Sequence, residues 1–218
     1  MFADVFERLR EQHGPQEGWW PADSRFEVMV GALLVQRTTW RNAAVAIERL
    51  KQVRCMTAER LAHIGTDELR MLIKPAGFFR VKATRLKKLA RFVISAGGLD
   101  SLSGRQTVEL RNQLLELEGV GPETADAMLG YVFDRPVLVV DAYTRRLFAR
   151  LYHPSPALSD TALKRDAEAT LGTTQALNEF HALVIAHGQR CCSPTPSCEP
   201  CSLRAICGFE REGQSRLA

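Results

Sequence analysis

The sequence LEGVGPETADAMLGYVFDRPVLVVDAYTRR, from Leu117 to Arg146, determines how the rest of the chain is interpreted. Gly119-Val120-Gly121 would be unfavourable inside a helix, and glycine permits the backbone conformations that a sharp turn needs. Pro122 follows at once and suits the first position of a new helix. The stretch therefore predicts a helix, a Gly-Val-Gly hairpin and a second helix, whose free N-terminal amides would suit a phosphate oxygen.

A single acidic residue ends the same stretch. Asp141 follows the apolar run 137–140 and precedes an amphipathic segment, so the pattern predicts that it caps the N-terminus of a helix. The helix dipole would keep its carboxylate ionised. A phosphate-binding hairpin followed by a half-buried carboxylate is a candidate catalytic site.

The composition is that of a globular protein that can bury one or two cores. The chain has 218 residues, of which 45% are hydrophobic, and its apolar periodicity is mostly helical. We therefore predict an all-α fold. The net charge of +4 permits an anionic partner without requiring one. Neither a secretory signal nor an apolar run of membrane-spanning length is present, so we expect a cytoplasmic protein, nucleoid-associated if bacterial. We also expect a monomer.

Several further helices are predicted from the periodicity. A helix over 25–36 is apolar on almost every side and should be central to the fold. A helix over 81–96 carries a basic run without any acid, which is typical of a solvated face, although part of it could approach phosphates. The basic residues are Arg80, Lys82, Arg85, Lys87, Lys88 and Arg91. The other predicted helices cover 41–51, 57–63, 66–73, 107–118, 142–152, 160–171 and 175–187.

Four cysteines near the end of the chain have the spacing C-x6-C-x2-C-x5-C. They are Cys191, Cys198, Cys201 and Cys207. Four thiolates so close together can enclose one metal centre, either a [4Fe–4S] cluster or zinc, and the compact spacing favours iron–sulfur. Such a centre would hold the loop together without taking part in the reaction. Cys192 is left over as a spare thiol.

Taken together, the hairpin, Asp141 and the cysteine spacing resemble the helix-hairpin-helix DNA glycosylases of the endonuclease III superfamily. FEVMVGALLVQRTTW (Phe26 to Trp40) and KPAGFFRVKA (Lys74 to Ala83) add to the likeness. The resemblance implies two helical lobes with a DNA-binding cleft between them. One lobe would cover 22–135; the other would combine 1–21 with 136–218 and end in a [4Fe–4S] cluster loop at 188–208.

The resemblance also implies roles for individual residues, with double-stranded damaged DNA as the partner. Asp141 would be the catalytic carboxylate, and Gln36 would enter the space left by the flipped nucleotide. The phosphate would be held by Gly119, Val120 and Gly121. The cluster ligands would be Cys191, Cys198, Cys201 and Cys207.

One position departs from the pattern of the members that also nick the strand. Those members place a lysine two residues after the second hairpin glycine, where this chain has Glu123. A carboxylate cannot form the Schiff base that strand cleavage through an imine requires. The expectation is therefore a monofunctional glycosylase.

The aromatic residues indicate a substrate class. Trp20, Pro21 and Trp40 resemble the base-pocket walls of the 3-methyladenine DNA glycosylase branch, although members of that branch can lack the cluster. An indole face suits a cationic alkylated purine. Two alternatives stay open: a glycosylase for oxidised pyrimidines or mismatched bases, and a non-catalytic DNA-binding iron–sulfur protein. His181 is interpreted as a packing residue.

Overall fold

The computed structural model describes residues 2–16, 18–153 and 155–210, and every regular element in them is a helix. The prediction of an all-α fold is confirmed. The α-helices are α1 (Phe2–His13), α2 (Arg25–Leu34), α3 (Trp40–Gln52), α4 (Ala58–His63), α5 (Thr66–Leu72), α6 (Phe79–Ser95), α7 (Leu99–Ser103), α8 (Thr107–Leu115), α9 (Pro122–Tyr131), α10 (Ala142–Leu151), α11 (Asp160–Leu171) and α12 (Thr174–Arg190). Short 3-10 helices cover Lys74–Ala76 and Arg204–Ile206.

The chain forms two compact units. One is Trp20–Arg135, which contains α2 to α9, and the other combines Met1–Trp19 with Pro136–Ala218. The division falls at Trp20, two residues before the expected boundary at 22. None of the helices in the described residues is long and apolar enough to cross a membrane.

Helix α2 is the core of the Trp20–Arg135 unit. Every residue of it except Arg25 is buried, and it packs against α3, α6 and α9. The buried carboxylate of Glu27 accepts from Lys51 Nζ at 2.7 Å, so this charge is compensated inside the unit. The helix ends at Leu34, earlier than expected, because the chain turns at 35–39.

The core of the other unit brings α1 together with α10, α11 and α12. The ring of Phe2 lies 4.7 Å from that of Phe148 and 5.8 Å from that of Phe180, measured between centroids. Burying each such ring contributes roughly 1.5–3 kcal/mol. Residues 137–140 are extended without a paired strand, and Leu138 and Val140 fill the same core. This packing fixes the backbone directly before Asp141.

Candidate functional site

The predicted hairpin is present between α8 and α9. Gly119 has φ +87°, a conformation that disfavours side chains, and the Val120 amide donates to Leu117 O at 2.9 Å. Gly121 is the N-cap of α9 and has no side chain to cap the first amides. The N-terminus of α9 is therefore open to an anion, as helix N-termini commonly are.

Two side chains from other parts of the same unit contact Gly119. A Cβ on Gly119 would lie 2.3 Å from Cδ of Arg85, so the α6 arginine occupies the space that any larger residue would need. Gln36 Nε2 donates to Gly119 O at 2.9 Å and to Thr124 Oγ1 at 3.0 Å. The turn after α2 and the hairpin are thus joined by Gln36.

The basic run of α6 is only partly solvated. Lys82 is buried because its Nζ donates to two backbone carbonyls. The interpretation of the whole run as a solvated face is therefore wrong at this residue. Arg85 lies against the hairpin, and Lys88 Nζ contacts Glu118 at 2.5 Å. Lys87 donates to the carbonyls of Ala62 and Ile64 at the end of α4.

The position of the missing lysine is occupied by an exposed acid. Glu123 lies in the first turn of α9, where the helix dipole favours a negative charge. The hairpin residues 119–121 contribute no amine. Strand cleavage through an imine would require an amine at position 123, and the side chain there offers only carboxylate oxygens.

Asp141 is the N-cap of α10, as its sequence context predicts. Its Oδ1 accepts from the Thr144 amide at 2.8 Å and from Thr144 Oγ1 at 2.9 Å. Its Oδ2 lies 3.8 Å from His181 Nε2, too long for a hydrogen bond but close enough for electrostatic attraction. Oδ1 is thus held by Thr144, while Oδ2 faces the imidazole of His181.

The environment of Asp141 keeps the carboxylate ionised. Burial is the largest single influence and by itself raises the pKa, but His181 and the two hydrogen bonds from Thr144 together outweigh it, so the pKa of Asp141 is lowered. The side chain of His181 is 5% exposed. His181 was expected to be a packing residue. The sequence of α12 does not distinguish a histidine that only packs from one that pairs with a carboxylate.

An aromatic cluster surrounds Trp20 in the Trp20–Arg135 unit. The Trp20 ring lies 5.9 Å from Trp40 at 79° and 5.1 Å from Tyr131 at 50°. A Cβ on Gly31 in α2 would lie 3.4 Å from the indole nitrogen, so the ring lies directly against α2. Pro21 follows on the exposed surface. Tyr131 was not anticipated, because it lies far along the chain at the end of α9.

The four spaced cysteines line one cavity, together with Cys192. All are free thiols. The pKa of both Cys198 and Cys201 is raised to about 11, mainly by burial, and the neighbouring cysteines contribute to the increase. Several thiolates in one cavity would repel each other, so the site suits a cation or a cationic cluster that would compensate their charge. The donor set therefore fits a thiolate-ligated metal centre.

Polar groups of α1 and α12 surround the cysteine loop. Gln12 Nε2 lies 3.4 Å from Cys191 Sγ, and His187 Nε2 lies 3.6 Å from Cys201 Sγ. His13 Nε2 lies 3.0 Å from His187 Nδ1. Burial, followed by the charge of His13, lowers the pKa of His187 to about 4. Ligand atoms of His13, His187 and Cys191 lie within 4.8 Å of one another, so these imidazoles are also potential metal ligands.

Comparison with known proteins agrees with this arrangement. Residues 30–171 match the HhH-GPD superfamily base excision DNA repair protein family. A protein of Methanocaldococcus jannaschii assigned as a DNA repair glycosylase is 36% identical over 95% of this chain and 96% of its own length. Endonuclease III of Thermotoga maritima is 32% identical over 85% of this chain and 84% of its own.

Solved structures share the fold. A trapped endonuclease III–DNA covalent intermediate superposes with a TM-score of 0.79 at 21% identity, covering 100% of this chain and 99% of that one. The 3-methyladenine DNA glycosylase MagIII of H. pylori, bound to 1,N6-ethenoadenine, gives 0.72 at 23% identity, covering 87% and 97%. The family match and the two sequence relatives cover the hairpin and Asp141. The chain therefore belongs to the HhH-GPD superfamily of base excision DNA repair proteins and is a DNA glycosylase of that superfamily.

Proposed function

We propose that this glycosylase is monofunctional: it hydrolyses the N-glycosidic bond of a damaged base and leaves the strand intact. The observation that carries the hydrolysis is the state of Asp141, and the lack of strand cleavage rests on Glu123. Its pKa is lowered in spite of burial, Oδ1 is locked by Thr144, and Oδ2 is left for the substrate. Such a carboxylate can act at neutral pH on a developing positive charge.

Loss of a base from deoxyribose passes through a sugar with oxocarbenium character. An ionised carboxylate can stabilise this charge and can orient or deprotonate the attacking water. Asp141 Oδ2 serves both purposes in the proposal, while Oδ1 keeps the side chain in place. A base that carries a positive charge leaves readily, so no strong general acid is required.

The hairpin is the proposed anchor for the DNA backbone. Gly119, Val120 and Gly121 present an open helix N-terminus, and a phosphate there would meet backbone amides rather than a competing cap. Arg85 packs on the hairpin and adds positive charge beside it. Contacts of this kind position DNA without reading its sequence.

Gln36 is the proposed residue for the space left by the flipped nucleotide. Extruding a base costs a few kcal/mol, which a polar side chain offsets by pairing with the orphaned partner base. In the free protein its amide donates to Gly119 O and Thr124 Oγ1. Insertion would exchange these bonds for bonds to the base, so binding at the hairpin and insertion would be coupled.

Strand cleavage is not expected. A β-lyase needs an amine that attacks the sugar, and position 123 holds a carboxylate. The amine of Lys82, in the same unit as the hairpin, is buried and bound to two carbonyls. It is therefore unavailable as a substitute.

Alkylated purines such as 3-methyladenine are the proposed substrates. Trp20, Trp40 and Tyr131 form an aromatic cluster, and a cation stacked on such faces gains about 0.5–2 kcal/mol. Pro21, next to Trp20, is assigned to the same pocket. The second candidate is an endonuclease III-like activity on oxidised pyrimidines or mismatched bases, which the relative from Thermotoga maritima favours by its name.

The cysteine loop is the proposed site of a [4Fe–4S] cluster. Cys191, Cys198, Cys201 and Cys207 would supply all four ligands, which leaves no open position for substrate. The cluster would then tie the loop to α1 and α12. A non-catalytic DNA-binding protein is disfavoured, because such a protein would have no use for an activated Asp141.

A base-release panel tests the proposal. Duplexes carrying 3-methyladenine, thymine glycol or a mismatched thymine are incubated with wild-type protein, and free base is quantified. We expect release of 3-methyladenine, nicks only after alkali, and no release by Asp141→Asn, whose amide can still cap α10. Release of thymine glycol alone would transfer the substrate assignment to the second candidate. Undiminished release by Asp141→Asn would remove Asp141 from the reaction.

A further inference from the structure

The side chain of Lys82 is buried in the Trp20–Arg135 unit, and the residue is 2% exposed. Its Nζ donates to Leu34 O at 2.8 Å and to Ala76 O at 2.7 Å. No carboxylate among the described residues pairs with it, and burial, followed by the charge of Arg85, lowers its pKa. A buried amine is costly, so an amine that binds only backbone has a structural or functional reason to be there.

Each of the two carbonyls ends a helix just before an exposed turn. Leu34 is the last residue of α2, and the turn at 35–39 follows. Ala76 is the last residue of the 3-10 helix Lys74–Ala76, and residues 77–78 lead from it into α6. The carbonyls at a helix C-terminus lack intrahelical partners, and Lys82 satisfies one from each helix. The two turns are therefore held by one ammonium group.

Both turns contain an exposed residue in the left-handed region. Arg37 has φ +55° and is exposed, and Phe78 has φ +46° and is 61% exposed. Residues other than glycine avoid this region, and such strain persists only where the surroundings enforce it. Arg54 and Asp134 also adopt this region, whereas Arg37 and Phe78 lie in the two turns that Lys82 joins. Gln36, the proposed DNA-inserting residue, is the immediate neighbour of Arg37.

We propose that Lys82 is a positioning residue that holds the turns at 35–39 and 77–78 together and thereby fixes Gln36, the proposed inserting residue, in the geometry that insertion needs. The proposal rests on the proposed DNA function. Lys82 touches neither DNA nor the reacting atoms; it acts through the two turns.

Lys87 provides a matched control in the same helix. Its Nζ also contacts two backbone carbonyls, those of Ala62 and Ile64 at the end of α4. Lys87→Met, like Lys82→Met, removes an amine that donates to two backbone carbonyls. It leaves the turns at 35–39 and 77–78 untouched.

The experiment measures insertion into the duplex separately from DNA binding. A duplex with 2-aminopurine next to the lesion reports unstacking by a rise in fluorescence, while anisotropy of a labelled undamaged duplex gives the Kd. For Lys82→Met we expect a Kd close to wild type, because the hairpin is intact. We expect the fluorescence rise to be lost and single-turnover base release to fall by about 10- to 100-fold, as misplacement of functional groups commonly causes. Lys87→Met should behave as wild type in both assays.

Each outcome decides the proposal. An unchanged fluorescence rise in folded Lys82→Met, or an equal loss in Lys87→Met, would overturn it. If Lys82→Met does not fold, Lys82→Gln replaces it: the shorter amide reaches one carbonyl at most, and an intermediate loss is expected. Wild-type protein that binds DNA without raising the fluorescence would also overturn the inference. The base-release panel reports independently on the proposed function.

Discussion

The Oδ2 atom of Asp141 lies 3.8 Å from Nε2 of His181, and both side chains are buried. The pair joins the N-terminus of α10 to the middle of α12. Because Oδ1 already accepts two hydrogen bonds from Thr144, the imidazole faces the oxygen that we propose for the reaction. His181 is thus a positioning and charge-setting partner for Asp141.

Replacing His181 should change the pH profile. The folded-state pKa of Asp141 is lowered, so both its activity and its contribution to stability are present above the ordinary aspartate pKa and are lost as the pH falls through the folded-state value. His181→Phe removes one of the influences that lower the pKa of Asp141 and leaves the burial that raises it. We expect the acidic limb of base release, and acid unfolding, to shift to higher pH.

The measurement is single-turnover base release against pH, together with urea unfolding at acidic pH. His63→Phe is the control, because His63 is an exposed residue of α4. An unchanged acidic limb in His181→Phe would show that the Thr144 hydrogen bonds alone keep Asp141 ionised.

Local signals in the sequence sufficed for the hairpin and for the cap at Asp141. Glycines before a proline, and an acid between an apolar run and an amphipathic segment, each determine backbone conformation within a few residues. The [4Fe–4S] centre and the roles at the hairpin stay predictions.

What the sequence could not show depends on long-range contacts. His181 meets Asp141 although α10, α11 and the first half of α12 separate them in the chain, and a histidine on a buried helix face has the same sequence pattern whether it packs or pairs. Lys82 belongs to a basic run, and only the packing of α6 against α2 shows that its amine points inward. Tyr131 joins Trp20 for the same reason.

Gly119→Ala should weaken DNA binding more than any other single methyl addition in the hairpin. The new Cβ would lie 2.3 Å from Cδ of Arg85, and the alanine would have to adopt φ +87°. Strained backbone of this kind costs about 1–3 kcal/mol, and relief would displace the amides that hold the phosphate. Anisotropy with an undamaged duplex measures the loss.

Gly121→Ala is the matched control for that variant. Its Cβ would meet no atom within 4 Å, and the residue has φ −90°. We expect a smaller loss of affinity. Equal Kd values for the two alanine variants would argue against the hairpin as the phosphate site.

Glu123→Lys should introduce strand-cleaving character. The new amine would occupy the position that the bifunctional pattern requires, at the open N-terminus of α9. Borohydride trapping on a damaged duplex should give a covalent complex with this variant and none with wild type. Glu123→Gln separates the amine from simple loss of the acid. A trapped complex with wild-type protein would contradict the monofunctional assignment.

Trp40→Leu should impair release of cationic bases selectively. The Trp20–Trp40 pair supplies aromatic faces, and losing one of them removes about 0.5–2 kcal/mol of cation–π attraction, roughly 2- to 30-fold in rate. Release of a neutral damaged base by the same variant provides the control and should change less. Equal losses for the two bases would indicate that Trp40 contributes shape rather than recognition of charge.

Cys201→Ser should abolish the metal centre, whereas Cys192→Ser should not. Cys201 shares the cavity with the other spaced cysteines, and its pKa of about 11 means that only a bound metal would keep its sulfur as thiolate at neutral pH. Cys192 also lines the cavity, but its Sγ accepts from Arg150 Nη1 at 3.1 Å, and it lies outside the C-x6-C-x2-C-x5-C spacing.

Purified wild type and Cys192→Ser should be brown with equal iron content. Cys201→Ser should be colourless and less resistant to urea, because the loop loses its link to α1 and α12. Zinc in place of iron in the wild type would replace the cluster by a zinc site, for which His13 and His187 are then the additional candidate ligands.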